Sequence, residues 1–172
     1  MSADEHEPTP VRAGSPAQLD ALMRAARAFS GVVATSLAQV GDQVTPQQLR
    51  VLVIAGTHHR TNASTISDAL DLHPSSATRL CDKLVLAGLL DRTADPEDRR
   101  QVTLRLTPAG SRLLAVVMNH RRKTLAEVLA RLTPDDRSHL ERCLNLFSDT
   151  VDEPVEADWH PHDIRVRSVA SD

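Results

Sequence analysis

Five times along this chain a proline stands where a helix can open: Ser15-Pro16, Thr45-Pro46, His73-Pro74, Thr107-Pro108 and Thr133-Pro134. Proline carries no N–H and its φ is fixed near the helical value, so it is welcome in the first turn of a helix and excluded from the interior. The five pairs therefore cut the chain into separate helices with defined starts. Aromatic residues make up 2% of the chain and tyrosine is absent, so its core must be assembled from Leu, Val, Ile and Ala. That composition favours helices packed on helices over a large sheet.

Between the punctuation marks the apolar spacing is legible. Leu19, Leu22, Met23, Ala26, Phe29, Val33 and Leu37 recur at helical intervals from Pro16 to about Val40, with Gly41 as the stop. Thr45-Pro46-Gln47-Gln48 is a capping box that opens a helix through about Ala55. Asn62 caps a short helix from Ala63 to Leu70, and Pro74 begins another that runs to about Ala87 and ends on Gly88. The period then changes. Leu89 to Arg92 and Val102 to Leu106 read as two strands joined by the charged segment Thr93 to Gln101. Two longer helices follow, Pro108 to about Leu132 and Pro134 to about Phe147.

Net charge is −3, yet 17 of the 20 basic and 13 of the 23 acidic residues lie in 15–148, so the body is positive and the tails are acidic. A positive body is compatible with DNA. Residues 1–14 and 149–172 read as polar tails expected to be flexible. No apolar run reaches the length of a membrane span, and the acidic N-terminus is the reverse of a signal peptide. Two cysteines, Cys81 and Cys143, suit a reducing compartment, so a cytoplasmic location is expected. Eight histidines show no clustered metal-site spacing, so no metal and no cofactor is expected. A Gly-rich phosphate loop, a nucleophile elbow and a paired-ligand metal signature are all missing, which speaks against an enzyme.

Two short helices joined by Asp71 to Pro74 form a helix-turn-helix pattern. Such a motif lays its second helix in the major groove with its N-terminal residues toward base edges. Here Ser75, Ser76, Thr78, Arg79 and Lys83 occupy those positions, while Leu80, Leu84 and Val85 repeat on the opposite side. Paired serines at a helix start commonly do no more than satisfy free N–H groups; set in this arrangement, they read as DNA contacts. In the hairpin, Arg99 and Arg100 sit at a turn where guanidinium groups can enter a narrow minor groove, and Asp98 is placed to orient Arg100.

The segment Asp95-Pro96-Glu97-Asp98-Arg99-Arg100 followed by Leu106-Thr107-Pro108-Ala109-Gly110 resembles the MarR (multiple antibiotic resistance regulator) family. The family's wing pattern, D-x-R then a strand and L-T-x-x-G, is met at Asp98, Arg100, Leu106, Thr107 and Gly110, and the likeness extends over roughly residues 16–148. The resemblance implies a mostly α fold: a winged helix-turn-helix lobe (45–107) with a two-stranded β-wing, and a helical dimerisation region (15–44 and 108–148). It implies a homodimer on duplex DNA, with Ser75 to Lys83 in the major groove and Arg99 or Arg100 in the minor groove. Asn62 and Ser64, at the start of the first helix of the pair, are expected to contact the DNA backbone. Leu113, Leu114, Val117, Leu125, Val128, Leu129, Leu132, Leu140, Leu144 and Phe147 exceed what a small lobe needs and support a dimer independently.

Members of this family are often released from DNA by a small molecule, frequently a phenolic compound or aromatic carboxylate. Arg24 and Arg27 are the candidate anion ligands; pairing with acids on neighbouring helices is their alternative use. The expected function is thus a sequence-specific regulator, a repressor acting on a near-palindromic operator. A winged-helix protein-interaction module without DNA binding, and a redox-responsive regulator using Cys81, are the competing readings.

Overall fold

The computed structural model describes residues 14–58, 61–94 and 102–151. The order is α1 (Pro16–Ala38), α2 (Pro46–Thr57), α3 (Ala63–Ala69), α4 (Pro74–Leu86), β1 (Leu90–Ala94), β2 (Val102–Leu106), α5 (Pro108–Leu129) and α6 (Pro134–Val151). Each proline pair of the sequence opens a helix. Ser15 with Gln18 and Thr45 with Gln48 form reciprocal capping boxes, and so do Asn62 and Thr65. Thr107 accepts from the Gly110 N–H at 3.0 Å, and Thr133 from the Asp136 N–H at 3.2 Å. These side chains occupy orphan donors that would otherwise face water or nothing.

Helix ends depart from the sequence reading by a few residues, because the last turns are set by packing rather than by propensity. Gly41 does not simply stop α1: at φ +58° it opens a 3-10 turn, Gly41–Gln43, that leads into α2. Strand β1 starts one residue later than expected and reaches Ala94.

α2 is the centre of the core, with Leu49 and Val51 to Ala55 all buried. Around it gather Ile66 of α3, Ala77, Cys81 and Leu84 of α4, Leu90 and Leu104 of the hairpin, and Leu113, Leu114 and Val117 of α5. The strands pair antiparallel with Leu90 opposite Leu106 and Ala94 opposite Val102. An extra bridge joins Thr61 to Leu104, where the Leu104 N–H donates to the Thr61 carbonyl at 2.6 Å. That bridge fastens the wing to the start of α3.

Two turns fix where α4 and the wing sit. α4 ends in a Schellman motif: the Gly88 N–H donates to Val85 O and the Leu89 N–H to Leu84 O, both at 2.9 Å, with Gly88 at φ +68°. The chain then turns directly into β1, while Thr107 donates its hydroxyl to Gly88 O at 2.7 Å and its N–H to Leu89 O at 3.1 Å. The end of α4, the β-hairpin and the start of α5 thus share one knot of hydrogen bonds.

Leu113, Leu114 and Val117, expected from the sequence to be surplus to the lobe, are instead buried within this chain. They pack because α5's first turns form one wall of the lobe. The surplus lies further on. Val128, Leu129, Leu144 and Phe147, and Leu19, Leu22, Met23, Phe29 and Val33 of α1, are exposed by 39–59%. Across the described residues no helix is long and apolar enough to cross a membrane.

Candidate nucleic-acid interface

α4 has two faces. Ala77, Cys81 and Leu84 are buried, with Leu80 and Val85 partly so, while Ser75, Ser76, Thr78, Arg79, Asp82 and Lys83 are exposed. All five residues expected in the major groove therefore lie on the outer face. The serines are not the caps of α4. That role falls to His73, whose Nδ1 accepts from the Ser75 N–H at 3.3 Å and lies 2.9 Å from Ser75 Oγ. The Ser76 and Ala77 N–H groups donate to the His73 carbonyl at 2.8 and 3.1 Å. Thr78 donates its hydroxyl to Pro74 O at 2.9 Å, so outward it offers a methyl group and lone pairs but no proton. Arg79 and Lys83 are one turn apart and extend into solvent.

Asp82 sits between these two cations and would oppose a phosphate. It is ion-paired with Arg92 of β1, which the sequence reading did not single out. Both partners are about half exposed, so the pair adds little stability. What it does is offset the one negative charge on this face and tie the wing strand to α4. Ten residues separate the partners and no periodicity links them; only the tight turn at Gly88 brings them together. Arg105 opposes Asp91 across the strand pair, a further charge match of the wing.

Asn62 is engaged as the cap of α3, its Oδ1 accepting from Thr65 N at 2.9 Å, and Ser64 is exposed one residue into that helix. Both line a cavity of about 420 Å³ with Cys81, Arg92, Val102 and Leu104. Asp98, Arg99 and Arg100 lie outside the described residues. Cys81 is fully buried, and burial pushes its thiol up, against the lowering effect of Arg92. A reactive thiolate needs the opposite environment.

Arg24 and Arg27 are exposed on α1, without an acid at ion-pair distance among the described residues. Neither lines the larger cavity, about 700 Å³, that opens between α1, the 3-10 turn and α2; its walls include Phe29, Val33, Leu37 and Pro46, with Ser30 and Asp42 as polar members. A second feature missed in the sequence is Ser36, buried on α1, which donates to Val33 O at 2.7 Å and accepts from Arg121 Nε of α5 at 2.9 Å. Serine in an apolar helix stripe was the available signal. Among the described residues no group of three or more His, Cys, Asp or Glu is placed to hold a metal.

Helices α3 and α4 with the β1–β2 hairpin define a winged helix-turn-helix protein. The MarR family model matches residues 44–102, the same lobe. The structure of RV1404 from Mycobacterium tuberculosis is 35% identical, covers 83% of this chain and 98% of that one, and superposes with a TM-score of 0.71. The HTH-type transcriptional repressor MdtR of Bacillus subtilis (strain 168) is 33% identical over 93 residues, 54% of this chain and 60% of that protein. Streptococcus pneumoniae FabT, solved in complex with DNA, shares the fold with a TM-score of 0.69 at 14% identity, covering 78% of this chain and 97% of FabT. The chain belongs to the MarR family of helix-turn-helix transcriptional regulators. Such proteins are regulators, not enzymes. Matches to the first curated relatives span 57–66% of those proteins' lengths.

Proposed function

We propose that the protein represses transcription by binding a near-palindromic operator as a homodimer, with α4 in the major groove and the wing in the minor groove. The observation that carries this reading is the outer face of α4, where Ser75, Ser76, Arg79 and Lys83 stand clear of the core and the single acid, Asp82, is neutralised from the wing. Arg79 is the candidate base reader, since a guanidinium can bond guanine through two N–H groups at once. Lys83, Asn62 and Ser64 serve phosphates, and Arg99 and Arg100, with Asp98 in the same segment of the sequence, serve the minor groove. Repression is the activity named for MdtR.

The exposed apolar surfaces of α1, α5 and α6 supply the dimer contact. Residues 45–107 act as the DNA-binding lobe, and 15–44 with 108–148 as the dimerisation region. An effector occupies the cavity between α1 and α2. Its apolar walls suit an aromatic body, and Asp42 with Ser30 suits a phenolic hydroxyl better than a carboxylate, which Asp42 would repel. Arg24 and Arg27 lie outside that cavity and serve an anionic effector only if it binds elsewhere on α1.

The test is fluorescence anisotropy on duplexes from the gene's own upstream region. Specific binding should weaken by about 10³–10⁵-fold between about 50 and about 200 mM salt if six to ten phosphates are contacted. Salt-insensitive or absent binding contradicts the reading.

A further inference from the structure

The large apolar side chains exposed among the described residues stand on α1, α5 and α6, with two exceptions, Val102 and Leu86. Val102 lines the cavity of about 420 Å³ with Asn62 and Cys81. Leu86, in the last turn of α4, is 91% exposed, more than any of the others, and its helix has no part in the proposed dimer contact.

Its position round the helix separates it from an ordinary surface leucine. At 3.6 residues per turn, position 86 points within about 20° of positions 75 and 79. It points away from position 77, about 180° round the axis, where Ala77 is fully buried. Leu86 therefore ends the outward row formed by Ser75, Arg79 and Lys83. Its backbone is held there, because the bonds from Gly88 N–H to Val85 O and from Leu89 N–H to Leu84 O bracket it. One turn back, Asp82 is paired with Arg92, so its charge is offset where DNA would pass.

A leucine side chain has no donor or acceptor for a base edge or a phosphate. The apolar group that a base pair displays in the major groove is the C5-methyl of thymine. In an A·T pair that methyl lies at the side of the groove, next to the sugar–phosphate of its own strand. The N-terminal residues of a recognition helix take the base edges, and its last turn, rising toward one wall, meets a methyl first. We propose that Leu86 packs on a thymine methyl in each half-site and fixes thymine at that position. Position 86 lies about 10 Å along α4 from Arg79, which places the methyl about two to three base pairs from the base Arg79 reads. Cytosine carries only hydrogen at C5 and supplies less apolar area to bury. The inference rests on α4 being the DNA-reading helix.

The experiment takes the operator recovered from a random duplex pool by the full wild-type chain. Each dyad-related pair of thymines is replaced by deoxyuridine, which removes the methyl and keeps every hydrogen-bonding group. Affinity is then measured for the wild type, Leu86→Ala and Leu86→Met; because Leu86 is exposed, neither substitution opens a cavity. The wild type should lose roughly 3- to 5-fold per half-site at one position, the worth of about one buried methyl. Leu86→Ala should show about that loss on the thymine operator already and should not distinguish uracil there. Leu86→Met, which keeps an apolar contact, should retain most of the thymine preference. Uracil losses equal in the wild type and Leu86→Ala, or thymine and uracil bound alike at every position, overturn this inference and leave the DNA-binding reading standing. Recovery of no operator by the wild type overturns the DNA-binding reading, and this inference with it.

Discussion

A methyl group on Gly110 would stand 2.1 Å from the carbonyl oxygen of Leu89, in the first turn of α5 where that helix backs onto the α4–β1 turn. No side-chain rearrangement relieves a clash with backbone. Gly110→Ala should therefore destabilise the fold by about 1–3 kcal/mol in urea titration, the range of overpacked sites; an unchanged midpoint would mean that α5 shifts freely against Leu89. Cys81 is the second test at this scale. Its thiol is buried and pushed up, so in the native protein it should stay unreactive toward a thiol reagent near neutral pH while exposed Cys143 reacts. The linkage has a definite sign. A folded-state pKa above the unfolded one stabilises the fold at neutral pH, and that contribution is lost as pH rises through the alkaline thiol range. Prompt labelling of Cys81 in the folded protein would revive the redox reading.

Among the elements, α4 and the wing were legible to different depths. Its start at Pro74, its stop at Gly88 and the exposed set Ser75 to Lys83 follow from residue types and spacing, because cap chemistry and helical period are local. The Asp82–Arg92 pair does not follow, since it depends on how far the hairpin folds back along α4. The same holds for Ser36 and Arg121, 85 residues apart, and for the bridge from Thr61 to Leu104. Leu113, Leu114 and Val117 were misplaced for a related reason: helical spacing shows that a face is apolar but not which neighbour covers it. Arg92→Ala tests the element directly. Uncovering Asp82 beside Arg79 and Lys83 should weaken DNA binding and lower the magnitude of its salt slope by about 1, with stability changed by less than about 1 kcal/mol because the pair is half exposed. Arg79→Ala should instead relax base choice at one position, costing about 1–3 kcal/mol of discrimination. An Arg92 variant that binds DNA as the wild type does would remove the pair from the interface.

For the whole molecule, the apolar residues left uncovered on α1 and α5–α6 carry the proposed assembly. Leu22 at 47%, Met23 at 51% and Val128 at 51% exposure are among the large apolar side chains that this chain leaves uncovered, and covering them is what the proposed dimer does. Leu22→Asp with Val128→Asp should give a folded monomer by sedimentation and lose most of the affinity for DNA, because one half-site forfeits the second set of phosphate contacts. A variant that stays dimeric would move the interface elsewhere. The central claim is that two copies present α4 and the wing to one side of a duplex, and hydroxyl-radical footprinting of the bound DNA reads that arrangement directly. The account predicts two protected regions related by dyad symmetry, with centres about 34 Å apart along the helix axis; a single asymmetric protected region would contradict it.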